Sequence, residues 1–288
     1  MKHLISIDDI GPDDRTALFQ VADRFSHLHS TTISQRDMED KILANVFYEP
    51  STRTSTSFHS AMIKLGGQVI PINEINYSSV AKGENIEDTI KTIGCYSDLI
   101  VLRTKNAGDA VKAAEVSSVP IINAGDGNGE HPTQTLLDLY TIYKIKTAYT
   151  VPTTATVDKT LRGLNIVFAG DIENSRTIHS LAKAVEKNNE VVYCDTYSDL
   201  SPHLPTADVL YMTRVQRERG SEGTYQFTKQ HAKVLKKECI IMHPFPRNEE
   251  LPQWVDSLPN SVYFKQIQNG LYIRMALLLS YKGEYKND

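Results

Sequence analysis

The sequence predicts an α/β protein of two doubly wound parallel-sheet domains, the second one shortened. Three observations carry this expectation. Short apolar runs alternate with segments of helical period along most of the chain, and the alternation restarts after a Thr-rich stretch near the middle. A length of 288 residues suits about two domains. Strands separated by helices of roughly 10–15 residues require parallel pairing through right-handed crossovers.

Leu43 to Tyr48 reads as the first strand. The helix after it places Phe58, Ala61, Met62 and Leu65 at i, i+3, i+4 and i+7, and Gly66-Gly67 ends it. Gln68 to Ile72 is the second strand, and a helix follows with Ile86, Ile90 and Ile93 on one face. Strand Asp98–Leu102, helix Asp109–Val116 and strand Val119–Asn123 come next. Helix His131–Ile145 opens on Pro132, where a missing N–H costs nothing. Thr147–Thr160 contains Pro152 and little helical period, and reads as a surface loop at a domain junction.

The second set begins with strand Leu164–Ala169 and helix Arg176–Lys187. Strands Glu190–Cys194, Asp208–Thr213, Glu238–Met242 and Val262–Gln266 follow, then a last helix over Leu271–Leu279. The domains expected are 1–146, with 267–288 packing back on it, and 147–266.

Composition narrows the class. Lys and Arg number 31 against 35 Asp and Glu, for a net charge of −4, and the basic residues are scattered. Nucleic-acid and membrane-surface binding are not expected from such a balance. No apolar run approaches the 18 or so residues that span a bilayer, and acids arrive too early for a secretory leader. Cys95, Cys194 and Cys239 form no CxxC pair and read as buried reduced thiols. A cytoplasmic location follows as the default.

Ligands of such sheets sit beyond the carboxyl ends of the strands. There the segment Phe47-Tyr-Glu-Pro-Ser-Thr-Arg-Thr-Ser-Thr-Ser-Phe58 crowds six hydroxyls and Arg53 into seven positions at a strand-to-helix junction. Free helix N–H groups favour an anion there, and Ser51, Thr52, Arg53 and Thr54 add donors suited to a phosphate. The plain alternative is a Ser/Thr helix cap, which would need one such residue. The glycines of a Walker loop or a dinucleotide fingerprint are absent. His131-Pro-Thr-Gln134 follows Gly125-Asp-Gly-Asn-Gly129, where backbone can approach a ligand closely. Arg103 and Arg214 end apolar strands, and Arg176 follows the loop Gly170-Asp-Ile-Glu-Asn-Ser-Arg176. Each could be a solvated charge; three at equivalent places suggest a cleft for a polyanionic ligand. Ser78-Ser-Val-Ala-Lys82 taken alone reads as a surface loop.

Together these segments resemble the aspartate/ornithine carbamoyltransferase family along nearly the whole chain and in order. Ser51-Thr-Arg-Thr54 is similar to the family's carbamoyl-phosphate loop and His131-Pro-Thr-Gln134 to its second signature. Asp208 to Arg219, Met242-His-Pro-Phe-Pro-Arg247 and Gln268 to Leu277 resemble segments of the aspartate branch, and no Ser-Met-Gly motif of the ornithine branch is present.

The resemblance implies transfer of the carbamoyl group of carbamoyl phosphate to the amine of L-aspartate, a step towards pyrimidines, with no metal or organic cofactor. It implies that Ser51, Thr52, Arg53 and Thr54 hold the phosphate. Thr54, Arg103 and His131 would polarise the carbonyl, and Gln134 would orient the carbamoyl amide. Pro244 and Phe245, counted with the carbamoyl-phosphate contacts, would offer backbone carbonyls to the amine. Arg176, Arg214 and Gln216 would clamp the aspartate carboxylates. Ser78, counted with the carbamoyl-phosphate contacts, and Lys82, counted as catalytic and with the aspartate contacts, match residues given across a subunit interface; the resemblance implies a homotrimer with shared sites, and a regulatory chain is left open. The Phe245–Pro246 bond is expected to be cis.

The chain departs from the family at Ser55, often a second arginine, and at Ala81, Ser175, Glu173 and Phe245. The largest departure is the short stretch between His179 and Asp208, which predicts a trimmed second domain with one peripheral element lost from its sheet edge; a full-sized sheet of five parallel strands in 160–265 would contradict it. Two alternatives stay open. Another acceptor amine would be exposed by a substrate panel. An inactive scaffold relative finds its only support in the shortened domain.

Overall fold

The computed structural model describes residues 2–28, 36–73, 83–149, 156–195, 199–217, 220 and 225–282. The chain divides into two compact units, Met1–Leu137 with Asn269–Asp288, and Asp138–Gln268.

The first unit opens with α1 (Pro12–Leu28), which the periodicity reading above leaves out; Asp13 and Asp14 occupy its first turn, where acids oppose the helix dipole. Then follow β1 (Ile42–Phe47), α2 (Thr52–Lys64), β2 (Gln68–Ile72), α3 (Ile86–Gly94), β3 (Leu99–Thr104), α4 (Asp109–Val116) and β4 (Ile121–Asp126). The strands pair in parallel in the order β2-β1-β3-β4, with Leu43 beside both Val69 and Leu99 and Phe47 beside Arg103. Ala44, Val46, Ile100, Leu102 and Ile121 meet Ile90, Ile93 and Ala113 in one face of the core. Near-continuous apolar strands are what a sheet covered on both faces demands.

The second unit holds α6 (Val157–Thr160), β5 (Asn165–Ala169), α7 (Arg176–Val185), β6 (Glu190–Cys194), β7 (Val209–Met212), α8 (Lys229–Val234) and β8 (Ile240–Met242). Its parallel order is β6-β5-β7-β8, the same winding as the first sheet. Val167, Leu210, Met212 and Ile241 pack with Leu200, Leu204, Phe227 and Val255. Among the described residues of 160–265 there are four strands, as the short connection before Asp208 leads one to expect. Two long helices, α5 (Pro132–Tyr149) and α9 (Tyr263–Ser280), carry the unit boundaries within them.

Three expectations need correction. Val262–Gln266 is not a strand: Ser261 makes a single bridge to Ile241, and α9 begins at Tyr263. Tyr263 and Gln266 are buried while Phe264 and Ile267 are exposed, a helical period hidden by the β-favouring run Val-Tyr-Phe. The Thr-rich junction is helical at both ends, since α5 runs on to Tyr149 and α6 occupies Val157–Thr160. Cys95 is exposed, whereas Cys194 and Cys239 are buried.

Candidate active site

In the first sheet the chain leaves β1 for β2 on one side and returns to β3 on the other. The strand order therefore reverses between β1 and β3, the place where open α/β sheets bind ligands. The loop after β1 carries Ser51–Thr54, and β3 delivers Arg103 beside Phe47. Ser51 stands at the N-cap of α2 yet makes no capping hydrogen bond with its side chain. Its Oγ instead accepts from Arg103 Nη1 at 3.4 Å. The hydroxyl is thus not used as an ordinary cap of this helix start. Thr54 is buried, while Thr52 and Arg53 are exposed.

Arg103 Nε donates to Glu49 Oε2 at 3.0 Å, both side chains being less than one-fifth exposed. The reading from sequence missed Glu49, whose signal was an acid two residues before Ser51 in a cationic neighbourhood. Ser55 is a framework residue: Asn45 Nδ2 donates to its carbonyl and hydroxyl at 3.2 and 3.0 Å, and its Oγ donates to Asn73 Oδ1.

His131 and Gln134 are buried at the start of α5, beyond the end of β4. His131 Nδ1 lies 3.3 Å from Thr133 Oγ1. The loop before it is fixed by Asp126, which accepts from the amides of Gly108 and Glu130 at 3.0 and 2.9 Å. Glu130 in turn accepts from Ser6 Oγ and the Ile7 amide. Gly127 has φ +52°, and a Cβ there would sit 2.7 Å from the Ala107 amide nitrogen, so glycine is required. Arg103, Ser51–Thr54 and His131 thus share the carboxyl-terminal edge of one sheet.

The second sheet repeats the arrangement. Its order reverses between β5 and β7, and the loops there carry Arg176 and Arg214–Gln216. Ser175, the N-cap of α7, likewise makes no capping hydrogen bond with its side chain; its Oγ lies 3.0 Å from Thr177 Oγ1. Arg176 is buried and Arg214 and Gln216 are half-buried. Asp171 joins the two loops: it accepts from the Asn174 amide at 3.1 Å and the Gln216 amide at 3.0 Å. The sequence shows Asp171 only as an acid just past a strand, and its burial appears in the structure alone.

After β8, the segment His243–Arg247 contains Pro244 and Phe245 and a cis Phe245–Pro246 bond, as the resemblance implied. Phe245 is in left-handed backbone, φ +58°. Ser78 and Lys82, with Ala81, lie outside the described residues.

Each unit therefore has the design of an α/β anion-binding domain, with uncapped helix starts and arginines at its switch point. Residues 2–144 match the family described as aspartate/ornithine carbamoyltransferase, carbamoyl-P binding domain. Residues 183–281 match the corresponding Asp/Orn binding domain. The chain belongs to the aspartate/ornithine carbamoyltransferase family.

It is 43% identical to the aspartate carbamoyltransferase catalytic subunit of Methanococcus vannielii, over 96% of this chain and 97% of that one. That match extends over 307 positions against the 288 residues here, so the relative carries residues this chain lacks. The crystal structure of aspartate transcarbamoylase from Trypanosoma cruzi with aspartate and phosphate is similar at TM-score 0.86 and 32% identity, covering 97% of this chain and 94% of that one. The catalytic subunit of M. jannaschii aspartate transcarbamoylase reaches TM-score 0.86 at 39% identity with full coverage of both chains.

Proposed function

We propose that the chain transfers the carbamoyl group of carbamoyl phosphate to the amine of L-aspartate, giving N-carbamoyl-L-aspartate and phosphate in pyrimidine biosynthesis. The observation that carries the reading is the paired set of switch-point loops, Ser51–Thr54 with Arg103 and Arg176 with Arg214–Gln216, in a chain of this family. Crystal structures of the T. cruzi relative with carbamoyl phosphate and aspartate support it.

The assignment of roles follows the chemistry. Residues 1–146 with 267–288 bind carbamoyl phosphate, and 147–266 bind aspartate. The amides and hydroxyls of Ser51, Thr52 and Thr54, with the fork of Arg53, hold the phosphate. The uncharged amine attacks the carbonyl carbon and the new N–C bond forms; after the tetrahedral state the C–O bond to phosphate breaks, and the departing phosphate takes the proton that the amine loses. Negative charge grows on the carbonyl oxygen in that state. Thr54, Arg103 and His131 are the donors aimed at it, and His131 acts as a donor and not as a nucleophile. Gln134 orients the carbamoyl amide, and the Pro244 and Phe245 carbonyls accept from the amine. Arg176, Arg214 and the Gln216 amide group bind the two carboxylates of aspartate. Glu49 holds the Arg103 guanidinium in place until substrate competes for it.

The family resemblance assigns Ser78 and Lys82 to a neighbouring subunit's site in a homotrimer. The location is the cytoplasm; among the described residues no helix is long and apolar enough to cross a membrane. A substrate panel tests the reading. Purified protein is expected to make carbamoyl-aspartate from aspartate, and turnover of ornithine or putrescine with aspartate inert would reject it.

A further inference from the structure

A chain of buried polar groups leads to the acceptor loop from behind. Tyr211 OH donates to Asp138 Oδ2 at 2.8 Å, and Gln266 Nε2 donates to Asp138 Oδ1 at 2.7 Å. Gln266 Oε1 accepts from the His243 amide at 3.0 Å. The two ring nitrogens of His243 then have contacts of opposite sense. Its Nδ1 accepts from the Phe245 amide at 2.9 Å, and its Nε2 lies 3.0 Å from Glu250 Oε1. Glu250 Oε1 also accepts from the Asn248 amide at 2.8 Å. The side chains of His243 and Glu250 are 0% and 2% exposed.

A backbone amide only donates, so Nδ1 carries no proton and the imidazole is neutral, with its hydrogen on Nε2. Glu250 is the acceptor that enforces this tautomer. Burial by itself would raise its carboxyl, but the hydrogen bonds from His243 and the Asn248 amide outweigh burial and hold it below the usual range. Phe245 needs such a tether. It adopts φ +58° although it is not glycine, a conformation that persists only where surrounding contacts over-determine it.

We infer that His243 and Glu250 are positioning residues for the reaction: Glu250 fixes the His243 tautomer, and His243 Nδ1 holds the Phe245 amide so that the Pro244 and Phe245 carbonyls face the aspartate amine. This deepens the proposed function and rests on it. Neither residue touches substrate. Loss of Glu250 leaves Nε2–H buried without its acceptor and favours the other tautomer, which sets Nδ1–H against the Phe245 N–H, donor facing donor. The loop then loses the anchor that orients both carbonyls, and small misplacements of this kind cost up to roughly a hundredfold in rate.

Two substitutions at His243 separate positioning from mere packing. His243→Asn puts an amide oxygen where Nδ1 sits and keeps the Phe245 bond while losing the bond to Glu250. His243→Gln reaches Glu250 and loses the Phe245 acceptor. The expected kcat/KM for aspartate falls roughly tenfold or more in His243→Gln and stays within about threefold of wild type in His243→Asn. Glu250→Ala falls like His243→Gln, Glu250→Gln recovers, and Glu250→Ala adds little in the His243→Asn background. Binding of inorganic phosphate, which meets the Ser51–Thr54 side, stays within about twofold throughout. Equal losses in both His243 variants, following only their melting temperatures, overturn the inference.

Should a variant fail to fold, the wild-type protein still decides: 15N shifts of the His243 ring are expected to show a protonated Nε2 and a bare Nδ1, and a protonated Nδ1 overturns the inference. Failure of the proposed function is seen separately, as wild-type protein that makes no carbamoyl-aspartate, and removes the inference with it.

Discussion

Gly170→Ala tests the second sheet at its switch point. Gly170 has φ +123°, and a Cβ built on it would sit 2.2 Å from the Thr213 carbonyl oxygen and 2.8 Å from Thr213 Oγ1. The nearer atom is backbone, so the ends of β5 and β7 must part to admit a methyl group. Overpacking of this kind costs about 1–3 kcal/mol. Holding alanine at that φ costs about 1–3 kcal/mol more. A total of roughly 2–6 kcal/mol lowers the melting temperature by about 8–20 °C in a unit of this size.

The same movement reaches function, because Gly170 leads into Asp171 and Thr213 leads into Arg214. Asp171 would no longer hold the Gln216 amide at 3.0 Å, so both loops proposed to bind aspartate shift. Thermal unfolding followed by near-UV circular dichroism reads the first effect, and aspartate saturation at fixed carbamoyl phosphate reads the second. A raised aspartate KM with unchanged phosphate binding is expected. Melting within about 2 °C of wild type together with an unaltered KM would refute the reasoning.

Arg103→Ala removes the donor proposed for the developing oxyanion and is expected to lower kcat by roughly 10²- to 10³-fold in steady-state assays, with the fold intact by circular dichroism. Asp208→Asn tests acid stability. Burial works to raise the Asp208 carboxyl, but the Lys236 hydrogen bond, the Asn165 amide and the charge of Lys146 outweigh it, so its folded value is depressed. A depressed value contributes stability that is present above the unfolded value of about 3.9 and is lost as pH falls through the folded one. The variant is expected to be about 1–3 kcal/mol less stable at pH 7 in urea titrations, with the gap closing below about pH 4. Thiol labelling of native protein at pH 8 should modify Cys95 alone, since Cys194 is buried and raised and Cys239 is buried and pushed up to about 12. Denaturation should expose all three.

Much of this architecture could be read directly from residues. Gln68–Ile72, Asp109–Val116 and Glu190–Cys194 fall where periodicity places them, because half-buried strands and one-sided helices leave a clear pattern. Val262–Gln266 misleads because β-favouring residues there serve the first turn of α9, where tertiary burial of Tyr263 and Gln266 overrides local preference. The placement of the hydroxyl-rich segment after β1, and of the arginines at strand ends, beside the switch points of the sheets was legible from the residues. Glu49, Asp171, His243 and Glu250 were not. Their roles are pairwise, made with partners distant in sequence or with backbone amides, and a single acid or histidine in a loop carries no mark of its partner. The family resemblance supplied the acceptor, which no spacing in this chain specifies.

The central claim is that two sets of residues, Ser51–Thr54 with Arg103 and Arg176 with Arg214–Gln216, serve one reaction. Calorimetric titration with N-(phosphonacetyl)-L-aspartate, which joins both substrate-like ends in one molecule, tests it most directly. Wild-type protein is expected to bind tightly, and Arg53→Ala and Arg214→Ala are each expected to weaken binding by roughly tenfold or more, as loss of a charge-assisted contact predicts. Undiminished binding in either variant would contradict the account.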